Sequence, residues 1–213
     1  HAFQYYCSRQ QPLQDYHWPT LEACEIHSMS MEFITWPWME KFFKEETDRF
    51  KYLHMVKSLL FLPYGACVDH FQHWVYENYD ANPKERKDQW LKLEKLYLPH
   101  RDYDDLSYPR QGGIWQGQGH IYQMPFYYID YTLAQTCAFQ FWIKFNKDRA
   151  HAWQEYYDLC KAGGSLPFTQ LLNIANLESP FKQGILGEVV SEISKWLDSI
   201  DVKDLSFKKS YIP

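Results

Sequence analysis

Two carboxylates on one predicted helix are the first candidates for chemistry in this sequence. Glu25 and Glu32 are seven residues apart, so two helical turns place them on one face, with Ser28 between them. Apolar residues such as Met29 and Trp36 surround that face. A carboxylate in such surroundings is costly unless it is paired or bound to a metal ion. The alternative is an acidic edge exposed to solvent, where most glutamates are found.

A histidine at the start of the chain could complete a metal site. His1 begins a run that reads as the middle of a helix, without an initiator methionine or a capping residue, so we expect a fragment. Catalytic zinc sites use three protein ligands plus water, and helical His-Glu-x-x-His sites take the third ligand from a later helix. His1 followed by Glu25 fits that plan. A surface or core histidine is the alternative for His1 alone.

A third group of candidates lies in the second half of the chain. Tyr128 and Tyr131 are three residues apart on one helical face, and His120 stands at the edge of the glycine-rich loop that precedes them. Phenol and imidazole groups are suitable donors to the oxyanion that develops during peptide hydrolysis. The alternative is an aromatic core stripe with an incidental histidine.

The elements that must position these residues are predicted to be helices, and the fold class is predicted to be all-α. Apolar periodicity predicts helices at residues 21–33, 47–62, 64–78, 83–98, 126–145, 148–161, 168–176 and 181–198. Thr20 and Asn82 are predicted caps, and Pro63 is predicted to end a helix. Residues 100–119 have no period and predict a long loop, which contains Gly112, Gly113, Gly117 and Gly119.

Composition limits the classes of function. The chain has 213 residues, of which 46% are hydrophobic, so residues 1–201 can form one large domain, followed by a patternless tail at 202–213. Aromatic residues make up 19%, which suits a wall that holds extended peptides or sugars. A net charge of -5 without a Lys/Arg stripe argues against nucleic-acid binding. No run of 18 apolar residues predicts a membrane span, and five dispersed cysteines predict a reduced, cytoplasmic protein.

Three separate strings in the sequence resemble oligoendopeptidase F, a relative of thimet oligopeptidase and neurolysin. They are EIHSMSME at residues 25–32, FYYIDYTLAQ at 126–135 and LCKAGGS at 159–165. The similarity runs from residue 1 to about residue 201. It implies a multi-helix, zincin-like catalytic domain of the thimet oligopeptidase and neurolysin type. The resemblance also implies a deep channel that admits short peptides and excludes folded proteins.

The resemblance further implies a set of zinc ligands. Relatives hold Zn2+ with both histidines of His-Glu-x-x-His and with the first glutamate of a Glu-x-x-Ser-x-x-x-Glu pattern. The second histidine of the motif maps to His1, and the glutamate ligand maps to Glu25. The first histidine and the water-activating glutamate of the motif are absent from the chain. Glu32 resembles the carboxylate that orients a zinc-bound histidine.

The same resemblance implies how substrate is handled. His120, Tyr128 and Tyr131 would contact the substrate carbonyl and stabilise the tetrahedral intermediate. The loop with Gly112, Gly113, Gly117 and Gly119 would move as substrate enters. Near Met124 or Pro125, distant thimet-type relatives carry a further tyrosine that this sequence lacks.

The leading hypothesis is a zinc endopeptidase acting on short peptides, represented here by a piece that lacks its N-terminal half and is expected to be inactive alone. The rival hypothesis is a non-catalytic helical module whose aromatic groove binds peptides or a partner protein. A carbohydrate-active enzyme using Glu25 and Glu32 is less favoured. Two helical turns separate those carboxylates by about 10 Å, near or beyond the usual limit for inverting enzymes.

Overall fold

The computed structural model describes residues 1–205, which form helices joined by turns. No β-strand occurs among these residues, and the predicted all-α class is confirmed. The α-helices are α1 (Ala2–Ser8), α2 (Leu21–Ile34), α3 (Glu40–Phe43), α4 (Thr47–Glu77), α5 (Pro83–Tyr97), α6 (Ser107–Arg110), α7 (His120–Gln123), α8 (Tyr128–Lys147), α9 (Arg149–Ala162), α10 (Phe168–Ile174) and α11 (Ile185–Asp198). Short 3-10 turns lie at Gln14–His17, Trp36–Trp38, Lys44–Glu46, Ile114–Gly117 and Val202–Leu205.

The predicted tail is only partly covered by the structure. Val202–Leu205 forms a 3-10 turn, and residues 206–213 lie outside the described part of the chain. The division into a domain at residues 1–201 and a tail stays a prediction.

Helix α4 corrects the prediction that Pro63 separates two helices. Thr47–Glu77 is one helix with Pro63 inside it. An interior proline removes a backbone hydrogen bond and costs about 3 kcal/mol or more. Packing holds the helix together, because buried residues before and after the proline belong to different apolar clusters. Gly65 also lets α4 approach α8, since a Cβ there would lie 2.1 Å from the Thr132 hydroxyl oxygen.

Helix starts follow the sequence signals to different degrees. Asn82 caps α5 with a complete capping box, in which its side chain accepts from the Glu85 N–H and the Glu85 carboxylate accepts from the Asn82 N–H. Thr20 occupies the N-cap position of α2, but its hydroxyl donates to Glu22 instead of capping the backbone. Helices α8 and α11 begin two and four residues later than predicted, after Phe126 and Gly184, both of which have positive φ.

The predicted loop at residues 100–119 contains more regular structure than expected. Helix α6 and the turn Ile114–Gly117 lie within it. The turn is held by Trp115, which is buried and packs against Phe71 of α4 with ring centroids 4.9 Å apart. Buried aromatic area therefore orders a segment that has no helical period of its own.

Helices α2 and α8 form the centre of the domain and pack along each other. Helices α4, α9 and α11 cover other sides of α8, and α1 packs on α9. Three apolar clusters fill the spaces between these helices. This arrangement brings the start of the chain, the first half of α2 and the start of α8 to one place.

The cysteines lie in the interior of the helical domain. All five cysteines, Cys7, Cys24, Cys67, Cys137 and Cys160, are buried and free. Burial raises the pKa of the Cys67 and Cys160 thiols to about 12, so both stay protonated. Within the described residues, none of the helices is both long enough and apolar enough to cross a bilayer.

Candidate active site

Glu25 lies in the first half of α2, where it is buried and three side chains converge on its carboxylate. The Ser28 hydroxyl donates to Oε2 at 2.7 Å, and His1 Nε2 lies 3.4 Å from the same oxygen. The Tyr127 hydroxyl donates to Oε1. Glu25 is only 6% exposed, so an acidic edge facing solvent is the wrong interpretation for this residue. Its partners come from α1, α2 and the start of α8.

The approach of His1 to Glu25 fits a shared metal ion. Their separation of 3.4 Å is long for a hydrogen bond between nitrogen and oxygen. Two ligands about 2.1 Å from a tetrahedral zinc ion lie about 3.4 Å apart. Imidazole nitrogen and carboxylate oxygen are also donors that zinc accepts. Among the described residues, no group of three His, Cys, Asp or Glu side chains could hold a metal, so this pair provides two ligands and not three.

Negative charge accumulates around Glu25. Burial, followed by the charge of Glu22 and then by the charges of Asp69 and Glu25, raises the pKa of Asp130 to about 7. Burial is also the main reason why the pKa of Asp69 is raised. A cation bound nearby would lower both pKa values, because it favours the ionised form of a carboxyl group.

Glu32 has a different environment from Glu25. Its carboxylate is exposed and lies 2.7 Å from His54 Nε2. The Trp36 indole N–H donates to His54 Nδ1 at 2.9 Å. Because indole nitrogen is only a donor, Nδ1 must accept, and Nε2 carries the hydrogen that is donated to Glu32. Sequence reasoning missed His54, and the orientation of a zinc-bound histidine by Glu32 stays a prediction.

The predicted donors from the second half of the chain do come together. His120 lies 5.1 Å from Tyr128 and 5.7 Å from Tyr131, measured between ring centroids, and the two tyrosines are 5.5 Å apart. Tyr128 is buried and also packs against Phe61 of α4. Burial raises the pKa of Tyr128 and of Tyr131, so both phenols keep their protons at neutral pH.

Tyr127 belongs to this group as well, although sequence reasoning did not select it. Burial, followed by its hydrogen bond to Glu25, raises its pKa. The Tyr131 hydroxyl interacts with both the Tyr127 hydroxyl and the Glu25 carboxylate. Tyr127 and Tyr131 are four residues apart, so helical spacing places them on one face, as it does Tyr128 and Tyr131. Tyr127 joins the aromatic group to the candidate metal site.

The glycine-rich loop divides into an anchored and an open half. Gly112 has φ +77°, and a Cβ there would lie 2.3 Å from the Lys87 carbonyl oxygen of α5. A Cβ at Gly113 would lie 2.6 Å from the Tyr108 ring. A Cβ at Gly117 would have no neighbouring atom within 4 Å, and a Cβ at Gly119 would have only a side-chain oxygen at 3.9 Å. The predicted movement with substrate therefore has more room at Gly117 and Gly119.

The helices and the convergence of side chains around Glu25 define an all-α domain with a candidate site, and comparison with known proteins identifies the family. The model of Peptidase family M3 matches residues 1–190. The chain belongs to peptidase family M3 and, within it, to the oligoendopeptidase F family.

Solved structures support the same relationship. The chain is 60% identical to a protein assigned as oligoendopeptidase F, with a TM-score of 0.93 over 97% of this chain and 36% of that one. It is 56% identical to PZ peptidase A in a structure with an inhibitor, with a TM-score of 0.93 over 96% of this chain and 36% of that one. It is 50% identical to a protein from Bacillus anthracis that is assigned as oligoendopeptidase F, with a TM-score of 0.82 over 94% of this chain and 33% of that one.

The solved relatives are much longer than this chain, which spans about a third of each of them. The structural likeness therefore concerns that third of the relatives and not their whole length. Comparison with curated protein sequences gave no match.

Proposed function

We propose that the protein containing this chain is a zinc-dependent endopeptidase that hydrolyses short oligopeptides. The observation that carries the proposal is the convergence of His1 Nε2 and Glu25 Oε2, 3.4 Å apart, beside a group of tyrosine and histidine donors. Membership of a peptidase family supports the reaction class. The rival hypothesis of a binding module does not account for a buried carboxylate that faces an imidazole.

His1 and Glu25 would hold the zinc ion, which supplies Lewis acidity and a water of lowered pKa when it is bound. The chain's own residues prepare Glu25 for this task. Ser28 donates to one carboxylate oxygen and Tyr127 to the other, which holds the carboxylate in one orientation. Such outer hydrogen bonds commonly change metal affinity or activity by about 10–100-fold.

His120, Tyr128 and Tyr131 are proposed to donate hydrogen bonds to the substrate carbonyl oxygen as it gains negative charge. Their rings lie within 6 Å of one another, so the donors are positioned before substrate arrives. Raised pKa values keep Tyr128 and Tyr131 protonated and able to donate. Donors placed in advance are often the largest contribution to catalysis of acyl transfer.

The proposal includes the rest of the protein. Two zinc ligands are too few for a catalytic site. We assign the first histidine and the glutamate of His-Glu-x-x-His to the N-terminal part of the protein, together with the other wall of the peptide channel. The five free, buried cysteines support a cytoplasmic location.

Metal analysis of the full-length protein tests the proposal. We expect about one zinc per protein, and we expect Glu25→Ala to lose both zinc and peptide hydrolysis. Glu77→Ala is the matched control, because Glu77 is an exposed glutamate at the end of α4. If Glu25→Ala keeps the zinc content and the activity of the Glu77 control, the peptidase site is not at Glu25 and the binding-module hypothesis gains support.

The isolated 213-residue chain provides an independent test. It is expected to hydrolyse no peptide, because the glutamate that would activate water is absent. Turnover of a fluorogenic peptide can be measured with added zinc and compared with the full-length protein. Zinc-dependent turnover by the purified chain would contradict the assignment of that glutamate to the N-terminal part.

A further inference from the structure

Gln118 connects His120 to a partly buried polar network outside the group of donors. Its side-chain nitrogen Nε2 lies 2.7 Å from His120 Nδ1. Its side-chain oxygen Oε1 accepts a hydrogen bond of 2.8 Å from the Tyr64 hydroxyl of α4. Gln118 therefore lies between a catalytic candidate and a helix that belongs to the core of the domain.

The direction of these hydrogen bonds determines the protonation of His120. An amide nitrogen only donates, so His120 Nδ1 must accept and has no hydrogen. The reverse orientation of the amide would remove the acceptor from the Tyr64 hydroxyl. Gln118 is the one hydrogen-bond partner that the described residues provide for that hydroxyl. The flipped amide could still donate to the Tyr64 oxygen, but the arrangement with Nε2 towards His120 is the one that gives the Tyr64 hydroxyl hydrogen an acceptor among the described residues.

We propose that Gln118 is a positioning residue that holds neutral His120 in the tautomer with its hydrogen on Nε2. In this tautomer Nε2 can donate to the substrate carbonyl oxygen without a prior proton transfer. The inference rests on the proposed function, because it concerns how His120 performs the role assigned to it there. Nothing in the spacing of the sequence pointed to Gln118.

The network continues behind Gln118 and explains how it is held. The Arg101 guanidinium lies over the Tyr64 ring, 4.9 Å from its centroid. Arg101 Nη1 also donates to Glu94 Oε1 at 3.1 Å, and Glu94 is buried in α5. The ring of Tyr64 is thus fixed by a cation that is itself fixed by a buried carboxylate. A fixed Tyr64 ring keeps its hydroxyl within hydrogen-bond distance of Gln118 Oε1.

A double-mutant cycle in the full-length protein tests whether Gln118 acts through His120. We expect Gln118→Ala to lower kcat by about tenfold with little change in KM, which corresponds to the loss of one hydrogen bond in the transition state. In a His120→Ala background the same substitution should lower kcat less than twofold. Residues that act through one another show this kind of non-additivity, whereas independent effects add.

The variant Gln118→Glu separates tautomer control from simple packing. Glutamate keeps the size of the side chain and an acceptor for Tyr64, but it has no hydrogen to donate. Beside it, His120 keeps a hydrogen on Nδ1, so Nε2 can donate only while the imidazole is doubly protonated. The titratable neighbours that face His120 are Tyr127, Tyr128 and Tyr131. We expect kcat of this variant to fall by about tenfold with rising pH, in a step that the parent protein lacks.

Gln116→Ala is the matched control for the cycle. Gln116 accepts a similar hydrogen bond, from the Tyr108 hydroxyl, but its side chain is exposed and bonds Tyr108 rather than His120. Its effect on kcat should be the same with and without His120. Equal losses from Gln118→Ala in both backgrounds, or no loss at all, would overturn the inference. If His120→Ala alone leaves kcat unchanged, the failure lies in the role proposed for His120 and not in Gln118.

Discussion

The two ends of helix α2 carry the same residue type in opposite circumstances. Glu25 is buried and receives hydrogen bonds from Ser28 and Tyr127 beside His1. Glu32, two turns later, is exposed, and among the described residues its carboxylate bonds only His54. The difference shows that position on a helical face does not determine the role of a carboxylate. The neighbouring helices determine it, because α1 and α8 cover one end and α4 borders the other.

Replacing Glu25 should have the largest effect on this comparison. Glu25→Gln keeps the shape of the side chain but removes the charge of a proposed zinc ligand. We expect kcat/KM to fall by more than about 100-fold, beyond the usual range for a residue that only supports a ligand. Peptide hydrolysis and zinc content of the full-length variant provide the measurements. A loss smaller than that of Glu32→Gln would reverse the proposed ranking of the two ends.

Replacing Glu32 should have an intermediate effect. Glu32→Gln weakens the hydrogen bond from His54 and removes the charge of the carboxylate that is predicted to orient a zinc-bound histidine. A supporting carboxylate of this kind typically contributes about 10–100-fold, so kcat/KM should fall within that range while zinc remains bound at saturating metal. Titration of zinc affinity separates this outcome from the loss of a ligand. Complete loss of zinc would place Glu32 among the ligands and break the comparison.

Tyr127→Phe should sharpen the description of the Glu25 end. The substitution removes one hydroxyl that donates to the carboxylate and leaves the ring packing in place. We expect zinc affinity to fall by about tenfold, as for other outer partners of metal ligands. Tyr128→Phe is the matched variant, because Tyr128 is one of the predicted oxyanion donors. This substitution should change kcat without changing zinc affinity. Equal changes in zinc affinity would mean that Tyr127 has no special relation to Glu25.

The smallest expected effect comes from a pair of hydroxyls at equivalent positions. Ser28 is three residues after Glu25 and donates to its carboxylate, whereas Thr35 is three residues after Glu32 and donates to its backbone carbonyl. Ser28→Ala should lower kcat/KM by about fivefold, because the typical net contribution of one hydrogen bond is about 1 kcal/mol. Thr35→Ala should change it by less than twofold. A Thr35 effect as large as that of Ser28 would show that the two ends are not distinguished by side-chain contacts.

Much of the fold and part of the site could be predicted from local signals. The periodicity of apolar residues located α2, α5 and α9 to within a residue or two, and Asn82 capped α5 as expected. Pro63 was misleading, because its local preference is outweighed by packing on both sides of α4. Trp115 likewise orders a turn through burial against a distant helix. In each case the deciding energy comes from contacts that local spacing does not contain.

The sequence by itself determined the helices, the shared face of Glu25 and Glu32, and the resemblance that places the chain in its family. Only the tertiary structure decided which glutamate is buried beside His1 and that Tyr127 holds it. Helical periodicity is a property of neighbouring residues, whereas these contacts join residues far apart in the chain. They exist because α2 and α8 pack side by side, and that packing depends on the apolar surfaces of the whole domain.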